Sequence, residues 1–141
     1  NGGFVYVKSD GFLYYRSNTK TETELSSPGA SSQTVTTENS TPIAITLTNK
    51  NSIVLIDTDA IGGASAVSID KLPSQFGSGA TLTFKDSTGD ANASNIVITT
   101  ADAETMDGSD TLTIGTDFGW AQLVSDGSNW FIISGNGYSL S

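Results

Sequence analysis

Asp102, Glu104, Asp107 and Asp110 cluster around one turn and are the best set of side chains in this sequence for bond-making chemistry. A glycosidase needs two carboxyl groups flanking a scissile bond, one of them in a sheltered pocket that raises its pKa. The other glutamates are Glu22, Glu24 and Glu38, and the first two sit in a polar, Thr-rich stretch that reads as an exposed arm. Asp and Gly at 107 and 108 are better explained as turn formers. There is no histidine and no cysteine. Ser-His-Asp triads, thiolate nucleophiles, disulfides, and His- or Cys-ligated metals are therefore excluded within one chain. The expectation is no catalytic residue, no cofactor and no enzyme.

Asp86-Ser87-Thr88-Gly89-Asp90 superficially resembles a calcium loop, and Asp57 and Asp59 could add oxygen ligands only by folding alongside it. It lacks the alternating ligands and distant Glu of an EF-hand, so no metal is expected. Gly62-Gly-Ala-Ser65 lacks a following Walker Lys or Rossmann spacing. Asn39-Ser-Thr41 and Asn92-Ala-Ser94 are formal glycosylation sequons, meaningful only on a eukaryotic secretory route. Five aromatic residues, Tyr14, Tyr15, Trp120, Trp130 and Tyr138, are candidates for an interface or for stacking on glycans. For the two Trp residues, core or interface is the preferred reading.

These residues must be positioned by strands. Phe4-Val-Tyr-Val7 and Phe12-Leu-Tyr-Tyr15 flank Asp10-Gly11, a strong hairpin signal. Arg16 to Leu25 reads as a third short strand or an extended arm. Ser26 to Ser32 is linker-like, which gives an N-terminal hairpin arm over 1–27 and a β domain over 28–141. In the latter, short strands are expected at 34–37, 43–48, 52–56, 66–69, 81–84, 95–99, 111–114, 120–124 and 130–133. Ile43, Ile45 and Leu47 share one face. The run Ile53-Val-Leu-Ile56 is expected to be covered on both faces. A second Asp-Gly hairpin is expected at Asp126-Gly127, and no amphipathic helix. The whole reads as all-β, a β-sandwich or jelly-roll-like domain.

The formal net charge is -9 with only six basic residues. No basic stripe exists to release counterions, so neither nucleic acid nor anionic membrane is expected as a partner. Acidity of this kind favours solubility at high copy number. No run approaches the length of a membrane span, and residues 1–4 carry no signal core. The absence of an initial Met fits a processed or trimmed chain.

Leu82-Thr-Phe-Lys-Asp-Ser-Thr-Gly-Asp-Ala, Asn95-Ile-Val-Ile-Thr-Thr, Met106-Asp-Gly and Phe118-Gly-Trp-Ala-Gln-Leu-Val-Ser-Asp-Gly-Ser-Asn-Trp together resemble a recurring module of bacteriophage fibre and appendage proteins. Met106 stands where that pattern usually has Ile. Asp10-Gly-Phe-Leu-Tyr-Tyr-Arg16 resembles another short segment of such proteins. The likeness covers roughly half of the chain, and its closing hairpin is the most specific part. It implies a homotrimer on the virion surface, contacting other virion proteins of capsid or tail. The role implied is a capsid decoration or fibre subunit. The alternative is a receptor-binding tail-fibre tip that recognises host surface glycans. The resemblance brings no catalytic residues with it.

Overall fold

The computed structural model describes residues 3–9, 13–17, 20–24, 33–71, 73–100 and 103–141. It divides into two units, 1–32 and 33–141. In the first, β1 (Gly3–Val7), β2 (Leu13–Ser17) and β3 (Lys20–Glu24) form an antiparallel sheet in that order. Val7 pairs with Leu13, so the two aromatic runs form a hairpin, while Asp10 and Gly11 lie outside the described residues. Of the two readings for Arg16 to Leu25, the strand is realised over Lys20–Glu24. Phe4, Tyr6 and Tyr14 make a ladder of rings, with centroids 5.4 and 6.1 Å apart.

The second unit is a β-sandwich. Its strands are β4 (Thr34–Glu38), β5 (Ile43–Ile45), β6 (Ser52–Ile56), β7 (Ser65–Ile69), β8 (Thr81–Asp86), β9 (Ile96–Thr100), β10 (Thr111–Ile114), β11 (Trp120–Ser125), β12 (Trp130–Asn136) and β13 (Tyr138–Leu140). Sheet I has the order β12-β11-β8-β6-β4, and sheet II has the order β13-β10-β9-β7-β5. From β4 to β9 the chain changes sheet at every connection. It therefore returns to each sheet running the same way, and β4, β6 and β8 are parallel, as are β5, β7 and β9. The hairpin β11–β12 and strand β10 close the two sheets with antiparallel pairs.

Alternation sets the core. Val54, Ile56, Leu82, Phe84, Ala121 and Leu123 point inward from sheet I. Ile43, Ile45, Val67, Ile69, Ile96, Ile98, Leu112 and Ile114 meet them from sheet II. Parallel register stacks like on like, Val54 beside Phe84 and Val67 beside Ile98. Each such side chain contributes about 1.5–3 kcal/mol on full burial. Trp130 is wholly buried at one end, edge-on to Phe76 at 5.2 Å between centroids. Phe76 comes from α2 (Pro73–Phe76), one of two single-turn α-helices among the described residues; the other is α1 (Thr58–Ile61), capped by Asp57, whose Oδ1 accepts the Ala60 N–H at 2.9 Å.

Two expectations change. Leu47 does not continue the Ile43–Ile45 strand: it enters a 3₁₀ turn over Leu47–Asn49 and is exposed. The Asn49 side chain accepts the Thr46 N–H at 3.0 Å and turns the chain there. Ile53 and Leu55 are only half-buried, because one face of β6 lies on the core and the other on the outside of sheet I.

Candidate functional site

The carboxylates around the Asp107 turn are used in different ways. Asp107 (φ 50°) and Gly108 (φ 88°) form a tight turn in which Met106 and Ser109 exchange backbone hydrogen bonds of 2.6 and 3.0 Å. The Asp107 carboxylate accepts the Ile132 N–H at 3.3 Å, and its own N–H donates to the Trp130 carbonyl at 3.0 Å. The turn thus lies along the open side of β12 and satisfies an edge that would otherwise invite another strand. Asp110 is exposed and accepts from the neighbouring Thr111 hydroxyl at 3.5 Å. Asp102 lies outside the described residues. Glu104 is 5% exposed and neither carboxylate oxygen has a hydrogen-bond partner. It lines two shallow clefts, one with Pro73, Ser74 and Asn129, the other with Ser109, Asp110 and Ser141. Glu104 and Asp110 both line the second cleft, where the Glu104 oxygens are shut away from solvent and Asp110 stands in it.

Asp86 behaves as a structural hub. It is fully buried at the inner end of β8. Oδ1 accepts the Thr58 hydroxyl at 2.8 Å, the Gly89 N–H at 3.0 Å and the Thr88 N–H at 3.2 Å. Oδ2 accepts the Phe118 N–H at 2.8 Å and the Ala91 N–H at 3.3 Å. Burial pushes the pKa up, and the hydrogen bonds from Gly89, Thr58, Phe118 and Thr88 together outweigh it, leaving the carboxyl below its ordinary range. The lone pairs a cation would need are occupied by donors from three segments: Thr58, the 88–91 loop and Phe118. Asp90 accepts the Ser94 hydroxyl at 3.2 Å, and Asp57 is engaged at its helix cap. Among the described residues, no group of three His, Cys, Asp or Glu is placed to hold a metal ion.

The aromatic candidates fall at different depths. Trp130 lies in the core and offers no ring face to a sugar or to another subunit. Trp120 lies half-buried on the outer face of sheet I. Tyr138 is exposed on β13, and Tyr14 and Tyr15 are half-buried in the N-terminal unit. Strand register gathers Trp120 with residues from every strand of sheet I. Val35 pairs with Ile53, Ile53 with Thr83, and Thr83 with Gln122. Leu55 pairs with Lys85, Lys85 with Trp120, and Val124 with Phe131. A bulge between Gln122 and Leu123 shifts the register opposite Ile133. Val35, Phe131 and Ile133 are 58%, 41% and 56% exposed, and Ile53, Leu55 and Val124 are half-buried. The outer face of sheet II presents Ala44, Ala66, Ser68, Val97, Thr99, Thr111, Thr113 and Ser139.

Phe118 was not singled out by its sequence context, a turn of Thr116-Asp-Phe-Gly119 in which a large ring is out of character. It has a φ of 57° and stands 59% exposed beside Lys85. No protein-family model matches the chain, and no curated protein matches it.

Proposed function

We propose that this chain is a non-enzymatic structural subunit on the outside of a virus particle, a capsid decoration or fibre protein. It works as a homotrimer, and the copies meet across the outer face of sheet I. One observation carries this reading: one sheet of the sandwich has a broad apolar outer face, and the other does not. Exposed apolar patches of this kind mark interaction surfaces. Self-association fits its charge. The described strand positions on this face hold no carboxylate, and Lys85 is its one charged residue. Many carboxylates lie in the turns, where Asp57, Asp70, Asp90, Asp117 and Asp126 are found. Copies of a chain with formal net charge -9 repel one another in most orientations, and approach is least costly through a face without carboxylates. The likeness to phage appendage modules supports three copies and a virion location.

Native mass measurement of the purified protein tests the assembly: a mass of three chains is expected, and a stable monomer at micromolar concentration refutes it. Imaging of whole particles with a label on this chain tests the location. The protein is expected at regular sites on the particle exterior.

A further inference from the structure

We infer that Phe118 and Lys85 form the anchor by which one copy of the chain grips the next. The inference rests on the trimer reading above and deepens it.

Phe118 is one of three non-glycine residues with positive φ among those described, beside Asn51 and Asp107. Asn and Asp tolerate that region, whereas a Phe there is strained. The backbone has a reason for the conformation. It sends the Phe118 N–H to buried Asp86 at 2.8 Å and its carbonyl to the Lys85 ammonium at 2.5 Å. Glycine would meet both demands with less strain, so the ring needs a reason of its own.

Packing within the chain supplies only part of one. The ring rests on Gly89, where any added Cβ would collide with it. Lys85 Nζ lies 5.3 Å from the ring centroid and is held by the carbonyls of Asp86 and Phe118, the former at 2.7 Å. Ring and ammonium are therefore fixed as one unit on a hydrogen-bonded loop, yet the ring stays 59% exposed. A rigid, exposed aromatic is the kind of side chain that dominates interface energetics once a partner covers it. Lys85 pairs with both Leu55 and Trp120, so the anchor continues the apolar face of sheet I. A second copy fits as the partner. The same face of that copy brings apolar surface for the ring and, at its described strand positions, no carboxylate to add to the repulsion between two acidic chains.

The test compares the full chain with Phe118→Gly and Phe118→Leu. Trimer dissociation is followed by sedimentation, and melting is followed by circular dichroism under dissociating dilution. Phe118→Gly is expected to weaken trimerisation about tenfold or more. The dissociated chain should melt at the same or a higher temperature, because the strain is gone. Phe118→Leu, which keeps apolar bulk, should fall between. If the parent is trimeric and Phe118→Gly associates equally well, the anchor is wrong and the trimer reading stands. If Phe118→Gly lowers the melting temperature of the dissociated chain, the ring is a lid over Asp86 and the inference is overturned. A parent chain that is monomeric fails the trimer reading itself, before any variant is compared.

Discussion

The two sheets of the sandwich bury the same kind of side chain on their inner faces and differ on their outer ones. Val54 and Phe84 on sheet I face a core shared with Val67 and Ile98 on sheet II. Outward, sheet II shows Ala66, Ser68, Thr99 and Thr113, residues that suit a pleated surface in water. Sheet I shows Ile53, Leu55, Val124, Phe131 and Ile133 in the equivalent positions. The outer set of sheet I is a solubility liability for a lone chain and an asset for one that is covered. The proposed contact between copies rests on this contrast.

The comparison breaks most visibly by charging one face at a time. Ile53→Glu combined with Ile133→Glu should abolish the proposed trimer at micromolar concentration, read by native mass. Val97→Glu combined with Thr113→Glu on sheet II should leave the mass unchanged. Equal effects from the two pairs would remove the distinction between the faces. The inner layer comes next. Trp130→Ala should cost roughly 3–5 kcal/mol in unfolding free energy, since a buried ring leaves a cavity that neither sheet can fill. A near-normal melt would mean that Trp130 is not part of the common core.

Asp86→Asn should cost about 2 kcal/mol, because an amide sets N–H groups against the N–H donors that converge on the hub. The pH dependence follows from the depressed pKa of Asp86 in the folded state. Its contribution is present above the ordinary carboxylate range, where the unfolded chain is also ionised. It is lost as pH falls through the lower folded value. Denaturant melts at falling pH should show this acid limb in the parent and a weaker one in Asp86→Asn. The smallest effect expected has the opposite sign. Glu104→Met should stabilise the sandwich by about 1 kcal/mol, since it replaces a buried carboxylate without partners by an apolar side chain of similar length. A loss of stability there would show that Glu104 has a partner in the working protein.

Local chemistry was legible in the sequence. The Asp126-Gly127 turn joins β11 to β12, and the Asp126 carboxylate accepts the N–H groups of Ser128 and Asn129 at 2.7 and 2.8 Å. Alternation in Thr81-Leu-Thr-Phe84 and Thr111-Leu-Thr-Ile114 predicted strands and their buried sides. The short strand Tyr138–Leu140 went unrecognised, since its residues are exposed and carry no buried pattern. The parallel ladders were not legible either. Successive strands of sheet I begin at Thr34, Ser52 and Thr81, unevenly spaced, so no repeat announces them.

The sequence by itself determined the class of structure and the chemistry it lacks: short strands, Asp-Gly turns, and no imidazole or thiol. Those follow from residue identity and nearest neighbours. Trp120 stands between Gly119 and Ala121 and Trp130 between Asn129 and Phe131, and either could have been core. Tertiary structure decided between them, because Trp130 pairs with inward-facing Ser125 while Trp120 shares its side of β11 with Gln122 and Val124. In sequence Asp86 belongs to a stretch that superficially resembles a calcium loop; Thr58 and Phe118, far away along the chain, bring their donors to it. The apolar face of sheet I likewise exists only once parallel register sets Val35, Ile53 and Leu55 beside Trp120 and Phe131. The physical reason is the same in each case. Burial and hydrogen bonding depend on what lies across the sheet, and strand pairing is a non-local choice that composition and periodicity leave open.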